Sequence, residues 1–177
     1  MMNLSSEENR IPTAYHEAGH AVACYRLFGD DGRYGGRLTI VPRGDLLGGH
    51  FAEELVFYGT EEVTAEERQA FENEAIYACA GYAAMLAAGY AEEEALAGCE
   101  ADFEKAERVC NVRLYVSKEQ AMALMMQPQN IAAVARVAGE LLSRSTLEWD
   151  EVEILIDVAD GEATEQDYQR YLVMKRG

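Results

Sequence analysis

The stretch Thr13-Ala14-Tyr15-His16-Glu17-Ala18-Gly19-His20-Ala21-Val22-Ala23 restricts the fold of this chain more than any other, because it sets two imidazoles and a carboxylate inside an otherwise apolar segment. Ala14, Ala18, Ala21, Val22 and Ala23 make a helix through this stretch apolar on several sides, and such a helix belongs in a core. Polar groups buried there without partners cost several kcal/mol, so the surrounding structure has to supply partners for His16, Glu17 and His20. Residues four apart on an α-helix lie about 40° from each other around the axis. His16 and His20 therefore share a face one turn apart, the separation that a single metal ion bridges. Glu17 falls about 60° beyond His20, on the flank of that face, where its carboxylate reaches a water on the ion without ligating the ion itself. Zinc held by two neutral imidazoles and a third protein ligand keeps a fourth position for that water, and the adjacent Glu then serves as general base and, toward the leaving amine, as general acid. A structural metal site and an ordinary polar face are the alternatives that so short a pattern leaves open. Gly19 costs about 1 kcal/mol against Ala in a helix interior, which predicts the close approach of another backbone there.

Charge and composition bound the partners. Against 15 basic residues stand 32 acidic ones, a net charge of −17. Phosphate contact requires clustered Lys and Arg, so nucleic acid is disfavoured, and anionic membrane surfaces are disfavoured for the same reason. With 177 residues and 49% hydrophobic content, residues 1–177 fit one domain with a proper core. There is no apolar run of the roughly 18 residues a membrane span needs. The leading Met1-Met2-Asn3-Leu4-Ser5-Ser6-Glu7-Glu8 lacks the basic and apolar parts of a signal peptide. The expectation is a soluble, cytoplasmic protein without a membrane partner. Cys24, Cys79, Cys99 and Cys110 form no C-x-x-C pair, which predicts reduced thiols in apolar helix faces rather than disulfides or a thiolate zinc site. Cys24, one turn on from His20, is read as core packing rather than as a ligand.

Along the chain, residues 1–10 read as a frayed lead-in. The motif helix is expected from Pro12 to Phe28, with Gly29-Asp30-Asp31-Gly32 as its stop signal. Arg37 to Pro42 reads as a strand, and Leu46 to Phe51 as a second short strand pairing back on it. Such a sheet caps the helix or, at its edge, holds an extended peptide by main-chain hydrogen bonds. His50 is the third histidine and a rival third metal ligand, against the reading as a solvated turn residue. Thr64 and Glu67 form a capping box opening a helix to Gly89, whose Ala78, Ala80, Gly81, Ala83 and Ala84 would let it lie close against the motif helix. A Glu-rich loop follows, then a helix with a face of Phe103, Ala106, Val109, Cys110 and Arg113 or Leu114. Gln120 to Met126, Ile131 to Leu142 and Trp149 to Val158 read as helices behind the site, with Met122, Met125 and Met126 as core or oligomer contacts. Glu153 and Asp157 form an E-x-x-x-D, and Glu153 is a second rival carboxylate ligand. The fold class is α+β, mainly α: a zincin-like H-E-x-x-H helix, a small β-sheet or hairpin, and a C-terminal helical bundle over residues 120–177.

Several of these segments together resemble one family. Tyr15-His16-Glu17-Ala18-Gly19-His20-Ala21-Val22, followed by Leu38-Thr39-Ile40-Val41-Pro42-Arg43-Gly44 and Leu47-Gly48, is similar to the peptidase domain of the FtsH family of ATP-dependent zinc metalloproteases. The order continues with Ala80-Gly81-Tyr82-Ala83-Ala84, with Gly98-Cys99-Glu100-Ala101-Asp102-Phe103-Glu104-Lys105-Ala106, and with Leu141 to Val152 as a last helix-turn-helix. The resemblance implies zinc bound by His16, His20 and Asp102, with Glu17 as the catalytic base. Two departures stand out. Ala101 replaces the Asn that usually precedes the ligand Asp, and Ala80-Gly81-Tyr82-Ala83-Ala84-Met85-Leu86 replaces Gly-Gly-Arg-Ala-Ala-Glu-Glu, removing two carboxylates. Gly48-Gly49-His50-Phe51-Ala52-Glu53-Glu54-Leu55-Val56-Phe57 copies that segment better, but it comes too soon after His20 to be its equivalent.

The family also carries membrane spans and an ATPase with a G-x-x-x-x-G-K-[ST] loop, and neither occurs in these residues. Unfolding a domain takes about 5 to 15 kcal/mol, so the expected activity is ATP-independent hydrolysis of peptides or unfolded polypeptides, unless a separate ATPase partner delivers substrate. A homo-oligomer is left open. The alternatives to a zinc metalloendopeptidase are an inactive zincin-like interaction module and a helical structural subunit.

Overall fold

Apolar residues on nearly every side make the H-E-x-x-H segment a buried helix, α1 (Arg10–Phe28), with Ala14, Ala18, Ala21, Val22, Ala23 and Cys24 all inaccessible to solvent. It begins before the expected Pro12 start. The Thr13 N–H and hydroxyl both donate to the Asn9 carbonyl, at 3.0 and 2.7 Å, which closes a first turn in which proline's missing N–H costs nothing. The computed structural model describes residues 9–29, 36–42, 49–50, 64–109 and 113–176. The lead-in before Asn9, the Asp30-Asp31-Gly32 stop signal, the look-alike beyond His50, and Cys110 lie outside the described residues.

The sheet is antiparallel, built from β1 (Arg37–Thr39), β2 (Gly49–His50) and β3 (Thr146–Glu148) in the order β2-β1-β3. Leu38 faces Leu147 across the ladder, and both side chains are fully buried. β1 is shorter than the expected Arg37–Pro42. Ile40 still donates to the Ser145 carbonyl at 2.9 Å, but the Val41 N–H turns to the Thr39 hydroxyl at 3.1 Å and leaves the ladder. β3 corrects the reading of residues 141–152 as a plain helix-turn-helix. Ser145, held left-handed at φ 67°, stops the preceding helix and swings Thr146–Glu148 alongside β1.

The helix expected from Thr64 to Gly89 is two. The Thr64/Glu67 capping box opens α2 (Ala65–Ala78), and α3 (Ala80–Ala87) starts after a break at Cys79. There ψ is −4°, and the N–H lies 3.3 Å from the Ala75 carbonyl and 3.1 Å from that of Ile76, the tightened geometry of a terminal turn. The Glu-rich stretch read as a loop contains a short helix, α4 (Glu92–Leu96), stabilised where Glu94 accepts the Ala91 N–H at 3.3 Å. α5 (Glu100–Val109), α6 (Leu114–Met125), α7 (Pro128–Arg144), α8 (Trp149–Asp160) and α9 (Glu165–Arg176) complete the mainly α, α+β architecture.

The principal core runs from Ala14 of α1 to Tyr168 of α9. Met125 is inside it, whereas Met126 is exposed. α1 and α3 touch backbone to backbone, because a Cβ added at Gly19 would sit 2.5 Å from the Ala84 Cβ and 2.7 Å from the Ala80 carbonyl oxygen. This is the close approach predicted from Gly19. Arg26 ties the end of α1 to α7 and α8, donating to Asn130 at 2.8 Å and to both carboxylate oxygens of Asp160 at 2.7 Å. Lys105 of α5 reaches the fully buried Glu74 of α2 at 2.6 Å. Among the described residues no helix is long and apolar enough to cross a membrane.

Gly139 is different: it lies on the exposed side of α7 with open space where a Cβ would go. Gly139→Ala is expected to stabilise the protein by about 0.5–1 kcal/mol, through helix propensity and the smaller entropy of the unfolded chain. A lower denaturant midpoint would contradict this.

Candidate metal centre

Three side-chain atoms from two distant parts of the chain meet over one face of α1. The Nε2 atoms of His16 and His20 are 3.1 Å apart, and an Asp102 Oδ2 lies 3.1 Å from the first and 3.3 Å from the second. Among the described residues no other group of three His, Cys, Asp or Glu side chains converges in this way. α1 presents the histidines one turn apart. α5 brings Asp102 in its first turn, and the Lys105–Glu74 ion pair, one turn further on, holds α5 against α2.

Two further features shape this spot. The His20 Nδ1 lies 3.0 Å from the Tyr77 carbonyl. A carbonyl only accepts, so Nδ1 carries the proton and, in the neutral ring, Nε2 is left as a lone pair aimed at the other two donors. Gly81 supplies the room. A Cβ there would fall 2.6 Å from His16 Cε1 and 2.7 Å from both Nε2 atoms. Gly81 therefore serves the imidazoles, beyond the helix packing that its small neighbours suggested.

These residues fit a divalent ion. Electron-rich atoms at such separations repel one another unless a cation or a proton lies among them, and tetrahedral zinc with bonds of about 2.0–2.2 Å sets its donors roughly 3.3–3.6 Å apart. Two imidazoles and a carboxylate are also a donor set that zinc takes in catalytic sites.

Glu17 sits beside the triangle at 7% exposure. Burial pushes its carboxyl up to about 7, opposed by His16 and reinforced by Asp102. Burial also raises the Asp102 carboxyl, but the charges and hydrogen bonds of His20 and His16 outweigh it and hold that group well below the ordinary carboxylate range. The Glu17 shift has a consequence for stability. An acid whose folded value exceeds its unfolded 4.5 contributes stability that is full below about 4.5 and is lost as pH rises through about 7. In chelator-treated protein at pH 8, Glu17→Gln is therefore expected to be more stable than wild type by on the order of 2–3 kcal/mol, with the difference vanishing below pH ~4.5. Denaturant unfolding at the two pH values checks this, and equal stability at pH 8 would contradict it.

The rival ligands fare differently. Glu153 accepts the Trp149 indole N–H at 2.6 Å, and Asp157 accepts the Tyr25 hydroxyl at 2.7 Å, and neither belongs to the converging group. His50 pairs with Leu38 through β2, and its side chain lies outside the described residues. Cys24 is buried, as expected for core packing. The departures from the FtsH pattern also have places. Ala101 is exposed on α5. Tyr82 and Met85 are buried with Ala95 and Cys99 in a small second core, against which Tyr15, Tyr90 and Phe103 pack. A carboxylate at Met85 would have no water, so an apolar side chain suits it, and the half-buried Leu86, where the other carboxylate is lost, packs against the same small core.

The family model described as peptidase family M41 matches residues 3–117. The chain belongs to peptidase family M41. This M41 member is similar over a short stretch to the ATP-dependent zinc metalloprotease FtsH of Magnetococcus marinus, with 54% identity over 43 residues, 24% of this chain and 6% of that protein. The ATP-dependent zinc metalloprotease FtsH of Thermus thermophilus is 56% identical over 45 residues, 25% of this chain and 7% of the relative. The stretches shared with these curated relatives thus cover under a tenth of their length. An FtsH-type peptidase domain, mainly helical with a small antiparallel sheet, is what the M41 match and the fold agree on.

Proposed function

We propose that this M41 member is a zinc-dependent metalloendopeptidase that hydrolyses peptide bonds in peptides or unfolded polypeptides, with His16, His20 and Asp102 as the metal ligands and Glu17 as general base. The observation that carries the reading is the triangle of donor atoms at 3.1–3.3 Å, with the Glu17 carboxyl buried beside it. The two relatives named as zinc metalloproteases support the choice of metal. When bound, zinc supplies Lewis acidity and lowers the pKa of a water to about 7.

The chain's own residues do the rest. The Tyr77 carbonyl fixes the tautomer and the orientation of His20. Asp102 adds the negative charge that two neutral imidazoles lack. The Glu17 carboxylate accepts the proton of the attacking water and passes it to the departing amide nitrogen, the two transfers that a carboxylate held beside the site can make. Residues 1–177 act as one peptidase unit in this reading. It has no membrane or nucleic-acid partner, its compartment is cytoplasmic, and self-association is open. The site cuts bonds but does not unfold domains, so folded substrates would depend on a separate ATPase partner.

The test is cleavage of a denatured, fluorescently labelled protein by purified enzyme containing one zinc per chain. Cleavage that a chelator abolishes and added zinc restores is the expected result. Zinc-loaded protein that binds the substrate and leaves it intact would point instead to the inactive zincin-like module.

A further inference from the structure

We propose that Lys118 is a positioning residue for the third metal donor: its ammonium group clamps Tyr82 and Phe103 together and so holds Asp102 against His16 and His20. The proposal rests on the zinc reading above.

Lys118 projects from α6, and its Nζ lies 4.2 Å from the centroid of the Tyr82 ring and 4.6 Å from that of Phe103. The two rings meet edge to face, 5.6 Å apart with an interplanar angle of 77°. The stack joins α3, α5 and α6 at positions that border the centre. Tyr82 follows Gly81, which leaves room for both imidazoles, and Phe103 follows Asp102. The choice of partner is notable in so acidic a protein. With 32 carboxylate residues against 15 basic ones, Lys118 forms no ion pair with any described residue and lies over two aromatic faces. A cation over a ring is attracted by the ring quadrupole, more strongly as the group loses solvent, and Lys118 is half-buried.

The rings have their own supports. The Tyr82 hydroxyl donates to Glu92 at 3.3 Å, and Ser117, next to Lys118, is buried. The Lys105–Glu74 pair restrains α5 a turn beyond Asp102. The Lys118 stack restrains the residue next to Asp102, where a small rotation of α5 would swing the carboxylate out of the triangle. In the FtsH pattern an Arg occupies the place of Tyr82; in this chain the positive charge over that place comes from another helix.

The experiment measures zinc affinity by competition with a chromophoric chelator, on protein shown to be folded before metal is added. Lys118→Met keeps the length of the side chain and removes the charge, and it should weaken zinc binding about tenfold, equivalent to about 1.4 kcal/mol. Lys118→Arg, which keeps the cation over the rings, should stay within about threefold of wild type. Phe103→Leu should weaken binding to a similar degree, and Lys118→Met combined with Phe103→Leu should lose little more than either alone, as expected for two parts of one contact. A purely structural lysine would lower the melting temperature without moving the zinc affinity. Lys118→Met within twofold of wild type overturns the clamp while leaving the zinc reading intact. Wild-type protein that binds no zinc overturns both.

Discussion

Glu17→Gln is expected to bind one zinc per chain about as tightly as wild type and to turn over substrate roughly 10²–10⁴ times more slowly. The substitution is nearly isosteric, so the buried position gains neither a cavity nor an overlap. His16, His20 and Asp102 keep their places, since none of the hydrogen bonds that join the donor triangle, or that orient His20, involves Glu17. What disappears is the carboxylate beside the triangle that can take a proton from water and return it to nitrogen. The loss should fall on kcat, because the interaction belongs to the transition state rather than to substrate binding. Zinc content together with kcat decides the matter: full zinc with unchanged kcat would remove Glu17 from the base role. The same variant, gaining stability in the metal-free state at pH 8, would show that the buried carboxyl is retained at the expense of the fold.

Asp102→Ala is expected to weaken zinc binding by on the order of a hundredfold to a thousandfold, since it deletes one of three protein donors and the charged one. His50→Ala should leave the affinity unchanged. The folded state should survive the Asp102 change, because the side chain is 27% exposed and α5 is anchored separately by Lys105 on Glu74. Circular dichroism of the metal-free variant and a zinc titration separate the two effects. If His50→Ala abolished binding while Asp102→Ala did not, the third ligand would have to be reassigned.

How much of this was legible beforehand depends on the distance over which each feature is determined. The pairing of His16 with His20 follows from helical geometry alone, and the close approach at Gly19 from the cost of glycine in a helix. The Thr64/Glu67 capping box is likewise local. Asp102 is another matter. No periodicity links it to α1 across 86 residues, and only the resemblance to FtsH singled it out from Glu153 and His50. The Tyr77 carbonyl has no signature at all, because a backbone acceptor is the same in every residue. The break at Cys79 and strand β3 were missed for a related reason: α2 and α3 share one apolar pattern, and Thr146–Glu148 becomes a strand only because β1 lies beside it. The apolar character of Tyr82 and Met85, a departure from the family pattern on paper, makes sense only once Phe103 and Tyr90 pack around them.

The separation between His16 and Asp102 bears on more than catalysis. An ion gripping both would close a loop whose ends are 86 residues apart. A covalent cross-link of that span removes about 4–5 kcal/mol of freedom from the unfolded ensemble. Bound metal would then act as a staple as well as a reagent. Stripping it would loosen the half of the chain between the two anchors, and the protein's survival among other proteases would track the supply of zinc.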